Sequence, residues 1–291
     1  MPESPRDEAA DRRRAGVRVR AAAAAQVFVA DPARPVLEPS DLHHLLRVLR
    51  LRPGEAVVAA DGDARWSLCR VRATGEPGPD TVLEVDGPVM TEPAPAPALT
   101  VAFAPAKGDR PEWVVQKLTE LGIDRIVVLS TDRSVVRWEG ERGARALGRL
   151  GRVAHEAAAQ CRRVRLPELA PATTLTGLTG LTGLTGPAGK PAGPPAVTTL
   201  AQLGGPPPTR LVTAVAIGPE GGWSEAELGR GLATVGLGPQ VLRAETAAVV
   251  AGALLAALRD GTVAAIGADG PAPTGEQEVR EFGEWPRAPG G

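Results

Sequence analysis

AIGPEGGWSEAELGRGLATVGLGPQVLRAET, residues 216–246, is the stretch whose reading decides the fold. It is entered through an apolar run, Val212 to Ile217, of the length and type expected of a buried strand. The run stops at Gly218-Pro219-Glu220-Gly221-Gly222. Glycines so dense permit positive φ and let a ligand approach main-chain N–H and C=O groups. Ser224 then opens a helix, because Ser224-Glu225-Ala226-Glu227 fits a capping box, hydroxyl to the N3 amide and carboxylate back to the cap. A second glycine-punctuated turn, Leu237-Gly238-Pro239, leads to Leu242-Arg243-Ala244-Glu245-Thr246 and a very apolar helix. Two ligand-sized turns thus flank one helix, and in open α/β sheets ligands bind at the carboxyl ends of strands. Neither Gly-Lys-Ser/Thr nor GxGxxG is present, so the two familiar phosphate cradles do not apply. By itself GPEGG also fits a plain strand-to-helix turn.

Upstream, the same rhythm recurs. Leu99 to Ala104 predicts a strand, Asp109 with Pro111 a helix start, and Val114, Leu118 and Leu121 its apolar stripe. Gly122 ends that helix and Ile126 to Leu129 predicts the next strand, a βαβ unit with a parallel sheet. Val197 to Leu200 predicts a strand before the glycine turns.

The region from Val27 to Val89 differs in kind. VFVA, AVVAA, SLCRVRA and TVLEVDG are short strand signals separated by turn formers, which predicts a small β-rich module. One helix interrupts it, with Ser40 as cap and Leu42, Leu45, Leu46 and Leu49 as core face. His43, Arg47 and Arg50 recur on another face, read either as a solvated surface or as a phosphate-contacting edge. The Pro/Ala run over residues 93–98 is a stiff linker. Residues 1–24, charged then alanine-rich, read as a disordered extension, since their acids argue against a transit peptide. The Leu-Thr-Gly triplets and Gly/Pro/Ala within 173–195 read as a flexible insertion, and 266–291 as a disordered tail.

Composition bounds the function classes. The chain has 291 residues, with 33 basic against 34 acidic, so no bulk charge announces a nucleic-acid partner. Cys69 and Cys161 are too few and too far apart for a disulfide scaffold or zinc site and fit a reduced, cytoplasmic compartment. His155 and Gln160 lack a third ligand in HExxxQ, so no metal is expected. The apolar helix Ala247 to Leu258 is too short to span a bilayer, so no membrane partner is expected. It must be buried in protein, most easily at a subunit interface.

IGPEGGWSEAEL, then LG, then VLRAETA resembles the signature of the RsmE-type rRNA methyltransferases, uracil-N3 methyltransferases of 16S rRNA in the SPOUT superfamily. KGDRPEWVVQKLTELGIDRI, STDRSVVRW and HEAAAQCRR resemble further segments of that family, and HHLLRVLRLRPGE resembles its PUA-like RNA-binding domain. The likeness runs from about Val27 to Leu258. It implies an α/β SPOUT domain with a deep trefoil knot over 99–265, preceded by a PUA-like β-barrel over 25–92, in a homodimer. It also implies S-adenosylmethionine as methyl donor and a uridine of 16S rRNA in the small ribosomal subunit as acceptor. Carried over by position, the cofactor set is Leu200, Ile217, Gly218, Pro219, Glu220, Gly221, Gly222, Leu237, Gly238 and Leu242. Arg243 stands for phosphate or carbonyl stabilisation and Glu245 for a base or orienting group. His43, Arg47, Arg50 and Arg163 stand for RNA contact, and Lys107, Arg110 and Arg133 for RNA or active-site contact. The chain departs from the family wording at Ala159, Ala201-Gln202 and Gln240. A SPOUT enzyme acting on another RNA, and a non-catalytic RNA-binding assembly factor, remain as rival readings.

Overall fold

Apolar runs such as Val212 to Ile217 need cover on both faces, and the C-terminal half supplies it. The structure, a computed structural model, describes residues 13, 15–72, 82–108, 110–180 and 198–263. Six strands, β6 (Thr100–Phe103), β7 (Arg125–Leu129), β8 (Glu168–Thr173), β9 (Thr198–Ala201), β10 (Ala214–Ile217) and β11 (Thr234–Val235), pair in the order β11-β9-β10-β6-β7-β8. Every neighbour pair is parallel. Side chains alternate across the pleat. Val101, Phe103, Ile126, Val128, Val215 and Ile217 face one core, whereas Ala102, Val127, Leu129 and Ala216 face the other.

The first core is roofed by α3 (Arg110–Glu120), α4 (Gly140–Gln160) and α7 (Ala244–Arg259), through Leu118, Leu150 and Leu255 among others. Gly252 lets α7 approach α3, since a Cβ there would lie 2.6 Å from Leu118 Cδ2. The apolar surface of α7 is thus divided between cover from its own domain and an uncovered remainder. Leu255 and Leu258 are buried within their own domain, and Val249, Val250 and Leu254 are the half-buried remainder. The second core is covered by Trp223 and by α5 (Leu175–Gly180). That short helix corrects the flexible-insertion reading at its start. Leu175 and Leu178, three apart in the Leu-Thr-Gly repeat, share a helix face and are both buried. Residues 181–197 of the insertion lie outside the described residues.

The N-terminal module pairs β1 (Ala25–Phe28), β2 (Ala56–Ala60), β3 (Arg65–Val71) and β4 (Leu83–Val85) in that order, with β5 (Met90–Thr91) also on β3. Its helix α2 (Pro39–His43) is capped at Glu38 rather than Ser40, because Pro39 has no N–H to satisfy and its fixed φ suits the first helical position. The helix continues as a π-turn over His44–Val48, closed by Leu49 N–H to His44 O at 2.9 Å. A π-turn inserts one residue into the helical repeat. Leu45 is fully buried but Leu49 is rotated out to solvent. Arg50 then takes φ 54°, off the helix, so it does not continue the face of His43 and Arg47. All three side chains are exposed.

The disordered-extension reading fails for residues 15–24. A helix α1 covers 15–21, and Arg20, 2% exposed, pairs with Glu92 and lies over the Trp66 ring. Residues 1–12 and the predicted tail 266–291 lie outside the described residues. The two halves are joined by main-chain acceptors rather than by the linker alone. Gln26 Nε2 donates to Arg163 O at 2.8 Å, and Arg162 Nη2 donates to Ala24 O at 2.8 Å.

Candidate active site

The carboxyl ends of β9, β10 and β11 carry the two glycine turns, and a cavity of about 560 Å³ opens between them. That volume suits a small organic ligand. Ile217, Gly218, Pro219, Glu220 and Gly222 form one wall, and Leu237, Gly238, Gln240, Val241 and Leu242 the facing one. Arg243, Ala244 and Ala247 close the end at the start of α7. The N–H groups of Gly218, Leu237 and Leu242 make no hydrogen bond among the described residues. Main-chain donors without partners beside an apolar cavity are groups a ligand can satisfy.

Local chemistry fixes the turn. Trp223 lies under it, its Nε1–H donating to Ala201 O at 3.0 Å. Gly218 packs closely on that ring, where a Cβ would sit 3.1 Å from Trp223 Cε2. Ser224 caps α6 (Glu225–Leu228) in the expected box with Glu227. Glu227 does more than cap: its Oε1 accepts from Asp132 N–H at 3.1 Å, tying the loop after β7 to the turn. Arg133 completes the tie, Nη1 donating to Gly221 O at 2.9 Å.

Arg110, at the start of α3, bridges two carboxylates: Nη1 is 3.1 Å from Glu220 Oε1 and Nε is 3.5 Å from Glu245 Oε1. Glu245 Oε2 is buried with no hydrogen-bond partner among the described residues. Arg243, exposed on the cavity wall, has no side-chain partner among them, nor has Lys107.

Of the expected cofactor set, Ile217, Gly218, Pro219, Glu220, Gly222, Leu237, Gly238 and Leu242 line the cavity, as does Arg243. Two do not. Leu200 points into the second core, and Ala201 lines the cavity instead, because successive strand residues face opposite ways; Gln202, past the end of β9, lines it too. Gly221 faces the Arg133 side chain, 3.5 Å from where its Cβ would be. Glu245 also stays off the wall, held by Arg110. Trp223, Gln202 and Gln240 were not in the expected set. The aromatic after GPEGG and the polar residues ending apolar runs were the available signals.

Arg163 is corrected outright. It is an interior strut rather than an RNA contact: Nε donates to Arg165 O at 2.6 Å, Nη1 to Thr119 O at 3.1 Å, and Nη2 lies 3.7 Å from Asp124 Oδ1. Burial pushes its pKa down, against the pull of Asp124. Arg163→Met should cost about 2–4 kcal/mol of stability, from lost charge-assisted bonds to buried acceptors. Urea unfolding measures that loss, and RNA affinity of the folded variant should not change.

Burial raises the pKa of both free thiols, Cys69 and Cys161, which favours the inert protonated form. Among the described residues no group of three or more His, Cys, Asp or Glu could hold a metal ion, and no helix is long and apolar enough to cross a membrane.

Comparison with known proteins gives consistent matches. An RNA methyltransferase domain family matches residues 92–256, and an RNA methyltransferase PUA domain family matches residues 37–81. The ribosomal RNA small subunit methyltransferase E of Mycobacterium bovis is 31% identical over 117 residues, which make up 39% of this chain and 42% of that relative. The match thus spans less than half of the mycobacterial protein. The protein of the same name from Bacillus subtilis is 25% identical over 222 residues, 72% of this chain and 85% of that relative. A solved structure from Legionella pneumophila, in complex with the bound cofactor SAM, superposes with a TM-score of 0.61 at 26% identity, covering 80% of this chain and 96% of its own.

Proposed function

This chain belongs to the RsmE-type RNA methyltransferase family, and on that premise we propose that it methylates N3 of a uridine in 16S rRNA with S-adenosylmethionine as donor. The observation that carries the reading is the cavity between the two glycine turns, largely apolar on its walls and edged by main-chain N–H groups that have no partner among the described residues. The residues present fit the cofactor. Ile217, Leu237, Val241 and Ala247 offer apolar surface to an adenine ring, and the N–H groups of Gly218, Leu237 and Leu242 are free to donate to it. When bound, S-adenosylmethionine supplies an electrophilic methyl group on a sulfonium.

The chain's own residues must then do three things. They hold the two reactants in line, which can account for much of a rate enhancement. They receive the negative charge that moves onto the uracil oxygens as the imide proton leaves, a task suited to Arg243 and the first-turn N–H groups of α7. They keep the two turns in register, which the Arg110 bridge between Glu220 and Glu245 performs. Glu245 is accordingly an orienting group behind the wall.

The test is methyl transfer by the full chain to deproteinised 16S rRNA, assembled small subunits and tRNA, with the product nucleoside identified by mass spectrometry. The expected result is 3-methyluridine in the ribosomal substrates. Methylation of tRNA alone would move the function to another RNA. Absence of cofactor binding in calorimetry would leave an RNA-binding assembly factor.

Val249, Val250 and Leu254 of α7 are half-buried and lie within about two turns of Ala247 on the cavity wall. A homodimer that pairs these patches about a two-fold axis covers them and sets each cavity near the partner chain. Leu254→Asp is expected to give monomers with weakened cofactor binding. Sedimentation of a wild-type monomer with full activity would sink the dimer.

A further inference from the structure

The outward side of α4 carries Arg142, Arg145, Arg149 and Arg152, at spacings that keep all four on one side of the helix. They span about 15 Å of helix at 1.5 Å per residue, and all are exposed. Arg142 and Arg152 have no hydrogen bond or ion pair among the described residues. Arg145 pairs with Glu141 at 3.4 Å, but both side chains are largely in solvent, where such a pair contributes little. Arg149 donates through Nε to Glu112, and the rest of its fork has no partner among the described residues. The acids on this side, Glu141 and Glu156, stand at the two ends of the row. With 33 basic and 34 acidic residues in the chain, the row is a local enrichment and not a reflection of net charge.

Its course is also informative. As the crossover between parallel strands β7 and β8, α4 runs back against the strand direction. It therefore begins at the carboxyl ends of the strands, where the cavity lies, and ends at the N-terminal module. Arg149 reaches Glu112, two residues from the Arg110 that grips Glu220 and Glu245. At the other end the His155 ring lies 4.5 Å from Phe28 of β1.

We propose that this side of α4 is a phosphate track, along which the RNA backbone runs between the N-terminal module and the cavity. The proposal rests on the RNA substrate of the preceding reading. Guanidinium forks match phosphate oxygens and carry no base information, so the track positions the strand and leaves choice of uridine to the cavity. The link from Arg149 through Glu112 and Arg110 to Glu220 of the cavity wall favours RNA over an acidic protein as occupant.

The experiment titrates labelled, deproteinised 16S rRNA against the full chain over a salt series. Arg142→Gln/Arg145→Gln/Arg152→Gln leaves the Arg149–Glu112 pair intact and touches no cavity residue. Each phosphate contact contributes about 0.7–0.9 to the slope of log affinity against log salt. The triple variant should lose about 2 to 3 units of slope and about tenfold or more in affinity at low salt. Cofactor affinity and melting temperature should stay at wild-type values. The corresponding triple Lys variant, which keeps charge, should retain most of the slope. An unchanged slope in a folded triple Gln variant overturns the track, as does equal binding of an acidic polypeptide in competition with RNA. Failure of the wild type to bind cofactor would overturn the methyltransferase reading instead, and the slope would still decide the track.

Discussion

Gly218→Val is expected to lower affinity for S-adenosylmethionine by about ten- to a hundredfold while leaving the fold in place. A Cβ at this position would lie 3.1, 3.2 and 3.3 Å from three atoms of the Trp223 ring. The ring cannot swing aside freely, because its Nε1–H is bonded to Ala201 O and its body is buried in the second core. Valine adds two further carbons to that contact, so the turn itself must lift and displace Gly218 N–H and Pro219 from the cavity wall. Overpacking of this kind costs about 1–3 kcal/mol, and 1.4 kcal/mol is a tenfold change in affinity. Gly218→Ala should show a smaller loss in the same direction. Gly221→Val is the internal control, since that position meets only Arg133 at an ordinary contact distance and does not line the cavity. Calorimetry on both variants, with a thermal melt to confirm folding, separates the cases. Equal affinities for the two would remove Gly218 from the site.

That pair of glycines shows what the sequence makes legible and what it hides. GPEGG between an apolar run and a capping box is local chemistry, and strand β10, the turn and α6 stand where the residues predict them. Which glycine touches the ligand depends on Trp223 and Arg133, and the latter comes from a loop 88 residues earlier in the chain. The same limit explains Leu200 and Ala201. An apolar run predicts a strand but does not say which parity ends facing the cavity. Arg163 looks like a surface cation beside Arg162, yet its partners Thr119 and Asp124 lie on other elements. In α2 a single π-turn moved Leu49 and Arg50 off their expected faces, and nothing in a leucine repeat announces the extra residue. For α7, a helix apolar all round reports burial without saying how much of the cover is its own domain. Gly252, Leu255 and Leu258 proved to be covered from within.

Arg110 holds the site's two turns together, and its removal carries the second large effect. By motif it stands for RNA or active-site contact, and its guanidinium is spent on Glu220 and Glu245. The two pairs are unequal. Glu220 is 64% exposed, so its pair is screened and contributes little. Glu245 is 15% exposed and has one oxygen with no partner at all among the described residues. Arg110→Ala would leave that carboxylate without its counter-ion at the first turn of α7, beside the wall formed by Arg243, Ala244 and Ala247. Truncating one partner of such a pair costs about 2–5 kcal/mol when fully buried. The partial exposure of Arg110 places the expectation at the low end, about 2 kcal/mol, or roughly thirtyfold in kcat/KM. Because the cost is an uncompensated charge, Arg110→Ala/Glu245→Gln should recover much of the loss, a non-additive result that two independent contacts would not give. Arg110→Lys, with charge but no fork, should fall between. The opposing outcome is equally readable: cofactor affinity unchanged in Arg110→Ala, with a shallower salt dependence of RNA binding, would return Arg110 to the nucleic acid and break the clamp.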